Sequence, residues 1–295
     1  MRIVITGSNG LLGQKIVRYC QANSIAYFAT SKGENRNSYC PSDRYTELDI
    51  TDRSQVQSVL MKLVPTHVIH TAAMTNVDQC ESDKMGCQLI NVTATDYLLE
   101  ACNALNCHFQ LLSTDFVFDG EKGNYMEEDE INPLSEYARS KADAEKIVKD
   151  RATCPWSIVR TIIVYGKAEN LSKSNIILWA KTVLEKGDPL TIVDDQFRAP
   201  TWAEDLADGC MAIVEKKQTG VYHMCGPETM SIHELIMRIA VHFNYPTEQI
   251  AKISSSTLNQ AAKRPPKTGF DLTKARTEVG YNPHTLEQTL YALYD

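Results

Sequence analysis

RIVITGSNGLLG, residues 2 to 13, runs from three consecutive apolar residues into three glycines spaced at every third position. The short Ile- and Val-rich run reads as a buried strand, and Leu11-Leu12 open a helical pattern behind it. Each glycine at this junction has its own task. Gly7 permits the tight turn, Gly10 lets a phosphate-bearing group approach the backbone N–H groups of a helix N-terminus, and Gly13 lets the helix pack on the sheet. The general dinucleotide fingerprint has glycine where Ser8 stands. A glycine-rich turn without a ligand would look similar, but its place directly after the first strand favours a cofactor. The candidate cradle is Gly7, Ser8, Asn9, Gly10, Leu11, Leu12 and Gly13.

Outward from this turn, apolar runs alternate with helical spacing. The runs are AYFAT (26–30), THVIHTAA (66–73), HFQLLST (108–114) and WSIVRTIIVY (156–165). Between two of them, Leu89, Val92, Tyr97, Leu98, Ala101 and Leu105 recur mostly in steps of three and four. Buried runs separated by helices predict βαβ units, giving an α/β fold with a Rossmann-type doubly wound parallel sheet. After Tyr165 the pattern loosens into helices near 175–186, 203–216, 231–243 and 285–294. This predicts a dinucleotide-binding domain over 1–166 and a smaller C-terminal substrate lobe over 167–295, with a strand in GVYHMCG (220–226) returning to the main sheet. SSSTLNQAAKRPPKTG (254–269) reads as an ordered loop, over a site or across the surface.

Composition narrows the function. The 295 residues carry a net charge of −7, which argues against general nucleic-acid binding. No apolar run approaches a membrane span, and the N-terminal run is too short for a signal peptide. Nine scattered cysteines without CxxC suit buried, reduced thiols in the cytoplasm rather than a zinc site or a disulfide framework. The seven histidines lack metal-ligand spacing, so His70, His223 and His233 read as packed or surface residues and no metal is expected. EEDE (127–130) reads as a solvated acidic loop.

The end of strand two bears on the cofactor. An NAD-selective site places an acid there for the ribose 2′-hydroxyl. This chain has Thr30-Ser31-Lys32, with Arg36 beyond and no acid before Glu34. Ser31 and Lys32 suit a 2′-phosphate, so NADP(H) is favoured and NAD(H) stays open. Asp49 and Ile50 are placed to line the adenine, and Thr71, Ala72 and Ala73 to run past the cofactor.

In YARSK (137–141), Tyr137 and Lys141 are four apart and share a helix face. A nearby ammonium favours the phenolate and would tune a tyrosine whose ordinary pKa is about 10. Two dozen residues earlier stands STDFVFDG (113–120). Thr114, at the C-terminal end of its strand, can hydrogen-bond a substrate carbonyl oxygen while Tyr137 donates the proton and Lys141 holds the cofactor ribose.

With these residues together the chain resembles an extended short-chain dehydrogenase/reductase, and within that superfamily the dTDP-4-dehydrorhamnose reductase family. The likeness spans the glycine turn, HTAAMTNVDQCES (70–82), STDFVFDG, YARSK, RTIIVYG (160–166), VDDQFRAPTWAEDLA (193–207), GVYHMCGPE (220–228) and KRPPKTGFDLTK (263–274). It implies NAD(P)H-dependent reduction of a 4-keto-6-deoxy sugar nucleotide by a homodimer. Hydride would pass to C4, with Thr114, Tyr137 and Lys141 catalytic. Thr75, Val77, Asp115, Phe116 and Ile163 would face the substrate, and Arg198 and Arg264 its diphosphate. The family usually has tyrosine at the Phe116 position, and its bacterial members tend to have tryptophan at the Ile163 position. Both differences bear on the sugar more than on the chemistry.

Two other readings compete. Sugar-nucleotide dehydratases of the superfamily need a glutamate where Phe116 stands, and epimerases a small-residue or serine-rich run. The β regulatory subunit of methionine adenosyltransferase is similar to the same reductases and keeps a Tyr-x-x-x-Lys pair. A cofactor-binding regulatory subunit therefore stays open beside the enzyme.

Overall fold

The computed structural model describes residues 1–171 and 174–294. Six strands alternate with helices through the first half: β1 (Arg2–Thr6), β2 (Ala26–Ser31), β3 (Tyr45–Glu47), β4 (His67–His70), β5 (His108–Thr114) and β6 (Trp156–Thr161). Short strands follow: β7 (Val164–Tyr165), β8 (Leu190–Val193), β9 (Phe197–Arg198), β10 (Thr201–Trp202), β11 (Gly220–His223), β12 (Met230–Ser231) and β13 (Ile250–Ile253). The main sheet has seven parallel strands in the order β11-β6-β5-β4-β1-β2-β3. The strand order reverses between β1 and β4, which opens a crevice at their C-terminal ends where such sheets bind ligands. GVYH does return to the sheet, pairing with β6.

The helices are α1 (Leu11–Ala22), α2 (Arg53–Leu63), α3 (Val77–Ser82), α4 (Lys84–Gln88), α5 (Ala94–Leu105), α6 (Glu136–Arg151), α7 (Ile176–Lys186), α8 (Ala203–Glu215), α9 (Ile232–His242) and α10 (Leu286–Tyr294). One face of the sheet packs on α1 and α8, around Ile3, Ile5, Ile16 and Leu206. The other packs on α2, α5 and α6, around Val4, Val68, Leu98 and Val148. Burial on both faces explains why β5 is buried along its whole length and reads as a continuous run rather than an alternation. A third cluster joins Tyr165, Ile177, Leu184, Leu190, Ile236 and Leu290, fed by α7, α9 and α10.

Residues 156–165 do not form one strand. The chain leaves the sheet after Thr161, and Ile163 takes a left-handed φ of +35°. For a β-branched residue that conformation is strained. Thr201 holds it in place: its N–H donates to the Ile163 carbonyl at 3.1 Å and its hydroxyl to the Ile162 carbonyl at 2.5 Å. β7 then pairs with β10.

Segment 254–269 is ordered and reaches the C-terminal end of β5, where the Thr268 hydroxyl donates to Asp115. Asp195 accepts the N–H of Ser255, and Arg264 pairs with Asp78 at 2.6 Å. The acidic loop is less exposed than expected, because a Glu127 carboxylate oxygen accepts the His223 N–H at 3.0 Å. All nine cysteines are buried, and among the described residues none forms a disulfide. Among the described residues no helix is long and apolar enough to cross a membrane, and no group of His, Cys, Asp and Glu has metal-ligand geometry. His70 and His223 are packing residues instead, stacked on Phe109 and Phe270.

Candidate active site

A cavity of about 730 Å³ runs along the C-terminal edge of the sheet, from the glycine turn to Tyr137. This lies within the usual range for ligand pockets. Gly7 needs its glycine: φ is +72°, and a Cβ there would stand 2.7 Å from the Ala72 backbone nitrogen. A Cβ on Gly13 would meet the Gly7 carbonyl oxygen at 2.4 Å. α1 begins after Gly10 without a side-chain cap. Its first N–H groups are therefore open to phosphate oxygens, and the missing Cβ atoms leave them approachable.

Most of the predicted cofactor residues share this wall: Gly7, Asn9, Gly10, Leu11, Leu12, Gly13, Ser31, Lys32, Asp49, Ile50, Thr71, Ala72 and Ala73. Ser8 does not, since it is fully buried and its N–H donates to the Thr30 carbonyl at 3.0 Å. Asn9 uses its side chain to shape the neighbouring loop, accepting from Arg36 N at 2.8 Å and donating to the Glu34 carbonyl at 2.9 Å. Arg36 lines the same end, so two cations flank Ser31. Lys32 is 77% exposed and pairs with Asp49 at 2.7 Å.

At the other end stand Thr114, Tyr137 and Lys141, with Thr75 and Ile163 beside them. Ser135 caps α6 by accepting from Ala138 N at 3.3 Å, which fixes the helix start at Glu136, one residue before Tyr137. Four residues on, Lys141 is 3% exposed, and among the described residues its ammonium has no salt-bridge partner within 4 Å. Burial lowers its pKa to about 8 against the supporting charge of Glu145. An unpaired ammonium in the wall fits the hydroxyls of a ribose. Glu145, one turn further along α6, takes the Ser113 hydroxyl at 2.6 Å and the Arg160 guanidinium at 2.9 and 2.7 Å.

The tyrosine differs from the expectation. Its pKa is raised, not lowered: burial dominates, and the Thr114 hydrogen bond opposes it only in part. The phenol is thus held protonated, the form a proton donor needs.

Five predicted substrate residues lie off the wall. Val77 opens α3 outside the cavity. Asp115 is 2% exposed and turned inward, its pKa raised by burial. Phe116 is not on the cavity wall and meets the Tyr137 ring edge-on. Arg198 is also 2% exposed and spends its guanidinium on the carbonyl oxygens of Phe197 at 2.7 Å and Pro265 at 2.6 Å, so it does not reach the cavity. Arg264 is engaged by Asp78 and likewise stands off the wall. The sequence reading missed Leu171, Ser174, Asn175 and Leu206, which close the cavity from the second half. No local motif marks them, since tertiary folding alone brings them to the glycine turn.

The profile of the RmlD substrate binding domain matches residues 1–295. The chain belongs to that family. Among its relatives, the dTDP-4-dehydrorhamnose reductase of Aggregatibacter actinomycetemcomitans is 31% identical over 98% of this chain and 97% of that protein. Methionine adenosyltransferase 2 subunit beta of Bos taurus is 28% identical over 94% of this chain and 82% of that protein. The solved dTDP-4-dehydrorhamnose reductase of Bacillus anthracis, in complex with NADP, superposes with a TM-score of 0.87 at 26% identity, covering 99% of this chain and 98% of that one. In sequence and in fold this member of the RmlD family is thus dTDP-4-dehydrorhamnose reductase-like, an oxidoreductase architecture.

Proposed function

We propose that the chain is an NADPH-dependent reductase of a 4-keto-6-deoxy sugar nucleotide. One observation carries this: Thr114, Tyr137 and Lys141 share a continuous cavity wall with the uncapped glycine turn. A bound reduced nicotinamide supplies the hydride for the C4 ketone. Tyr137, protonated and half-buried, gives its proton to the ketone oxygen as general acid. Lys141 holds the ribose and places positive charge beside the phenol, which favours the phenolate as it forms. Thr114 fixes the sugar at the reacting carbon. Ser31, Lys32 and Arg36 take a 2′-phosphate, and Asp49 aims the Lys32 ammonium. A cytoplasmic homodimer completes the reading.

The test mixes the purified chain with NADPH or NADH and dTDP-4-keto-6-deoxy-L-mannose, and follows the reduced-nicotinamide absorbance. Turnover with preference for NADPH is expected. The likeness to methionine adenosyltransferase 2 subunit beta carries a second reading, an NADP-binding regulatory subunit. NADPH binding without turnover would favour it and reject the reductase.

A further inference from the structure

Arg36 lines the cavity from residues 32–41, a loop with no helix or strand of its own. A long cation on such a loop ordinarily loses backbone and side-chain entropy when an anion orders it. Here the backbone is already gripped on both sides. The Arg36 N–H donates to Asn9 Oδ1 at 2.8 Å, and the Arg36 carbonyl oxygen accepts from Asn170 Nδ2 at 3.2 Å. One grip comes from the glycine turn and the other from the second half of the chain. Among the described residues the guanidinium itself makes no hydrogen bond or ion pair.

Asn170 is held in its turn. The Glu169 N–H donates to Gln14 Oε1 at 3.0 Å, and the Glu169 carbonyl oxygen accepts from Gln14 Nε2 at 2.7 Å. Gln14 lies in the first turn of α1 and is 1% exposed. Its amide thus pairs with a peptide group as a neighbouring strand would, spending both donor and acceptor. The Ser38 hydroxyl donates to the Glu169 carboxylate. Segment 167–171, which follows β7, is therefore a strap pinned to α1 and to the Arg36 loop, and Leu171 continues it along the cavity wall.

We propose that Gln14 and Asn170 are positioning residues for recognition of a 2′-phosphate. Gln14 pins the strap, and Asn170 together with Asn9 fixes the Arg36 backbone at the cavity rim. Few rotamers then remain to the guanidinium, and the cation is in place before an adenosine 2′-phosphate arrives. This rests on the NADPH reading of the cavity and adds what enforces it. The second half of the chain, through Asn170, takes part in selecting the cofactor.

The experiment measures calorimetric binding of adenosine 2′,5′-bisphosphate and of 5′-AMP to the full chain. The proteins are the wild type, Asn170→Gly, Gln14→Met, Arg36→Ala and the Asn170→Gly/Arg36→Ala double variant, with circular dichroism monitoring folding. Asn170 has a φ of +48°, which glycine adopts without strain, so Asn170→Gly removes the amide and spares the backbone. The wild type should bind the bisphosphate at least about tenfold more tightly than AMP. Asn170→Gly and Gln14→Met should each weaken bisphosphate binding by about three- to tenfold, the worth of one hydrogen bond, and leave AMP within about twofold. In the Arg36→Ala background Asn170→Gly should cost nothing further. Equal losses on both ligands, an undiminished loss in the Arg36→Ala background, or a preference that survives Asn170→Gly intact overturn the inference alone. If Gln14→Met does not fold, the Asn170→Gly comparisons decide. A wild type that binds both ligands equally overturns the 2′-phosphate reading, and this inference with it.

Discussion

The Phe116 ring meets Tyr137 edge-on, with centroids 6.0 Å apart and planes at 73°. The Arg198 guanidinium lies over the same ring, 5.4 Å from its centroid. Phe116 thus contacts both the phenol and a buried cation, and its ring adds to the apolar packing that holds the Tyr137 pKa up. Phe116→Ala should admit water beside Tyr137 and so lower its raised pKa. Ultraviolet difference titration of the phenolate would detect this, and an unmoved titration would refute the packing role.

Tyr137 is the only phenol on the cavity wall among the described residues. Tyr137→Phe should reduce kcat by about 10²–10⁴, the usual worth of a positioned proton donor, with NADPH affinity kept. Stopped-flow hydride transfer is the measurement. Retention of full kcat would remove Tyr137 from the chemistry.

Lys141 is buried with a pKa lowered to about 8. Its ammonium is present below that pH and lost above it, so kcat/KM should fall as pH rises through about 8. Lys141→Met should lack this limb and bind cofactor more weakly. A flat profile to pH 10 in the wild type would sink the assignment.

Lys32 and Arg36 flank Ser31 at the end of the cavity opposite Tyr137. Because Lys32 is largely exposed, its contribution is screened and modest. Lys32→Ala should raise the NADPH KM by about three- to tenfold and leave the NADH KM unchanged, with salt narrowing the difference. Equal effects on both cofactors would argue against a 2′-phosphate contact.

Glu145 and Arg160 form an ion pair with both side chains essentially unexposed. Removing one partner strands the other charge, which typically costs about 3–5 kcal/mol. Glu145→Ala should therefore be strongly destabilised in urea unfolding. A loss below about 1 kcal/mol would mean that Arg160 finds water or another partner.

The parallel sheet and the glycine turn were legible because each rests on local chemistry. Continuous apolar runs mark strands buried on both faces, and the glycines at 7, 10 and 13 stand where a Cβ would strike backbone or block the helix end. The i, i+4 spacing of Tyr137 and Lys141 places them on one helix face in any helix. What lay beyond the sequence was direction and company. STD is three neighbouring letters, yet the end of β5 sends Thr114 to the cavity and Asp115 into the core. The partners that hold Asp115 there, Arg198 and Thr268, come from 83 and 153 residues further along the chain. Arg198 and Arg264 read as free cations until the fold supplied carbonyl oxygens and Asp78. The break at Ile163 depends on Thr201 gripping a strained backbone from another segment. The sequence by itself determined the strands, the glycine turn and the shared helix face of Tyr137 and Lys141. The tertiary structure decided which polar atoms face the ligand, because burial and long-range hydrogen bonds assign each proton and charge a partner that no local spacing can name.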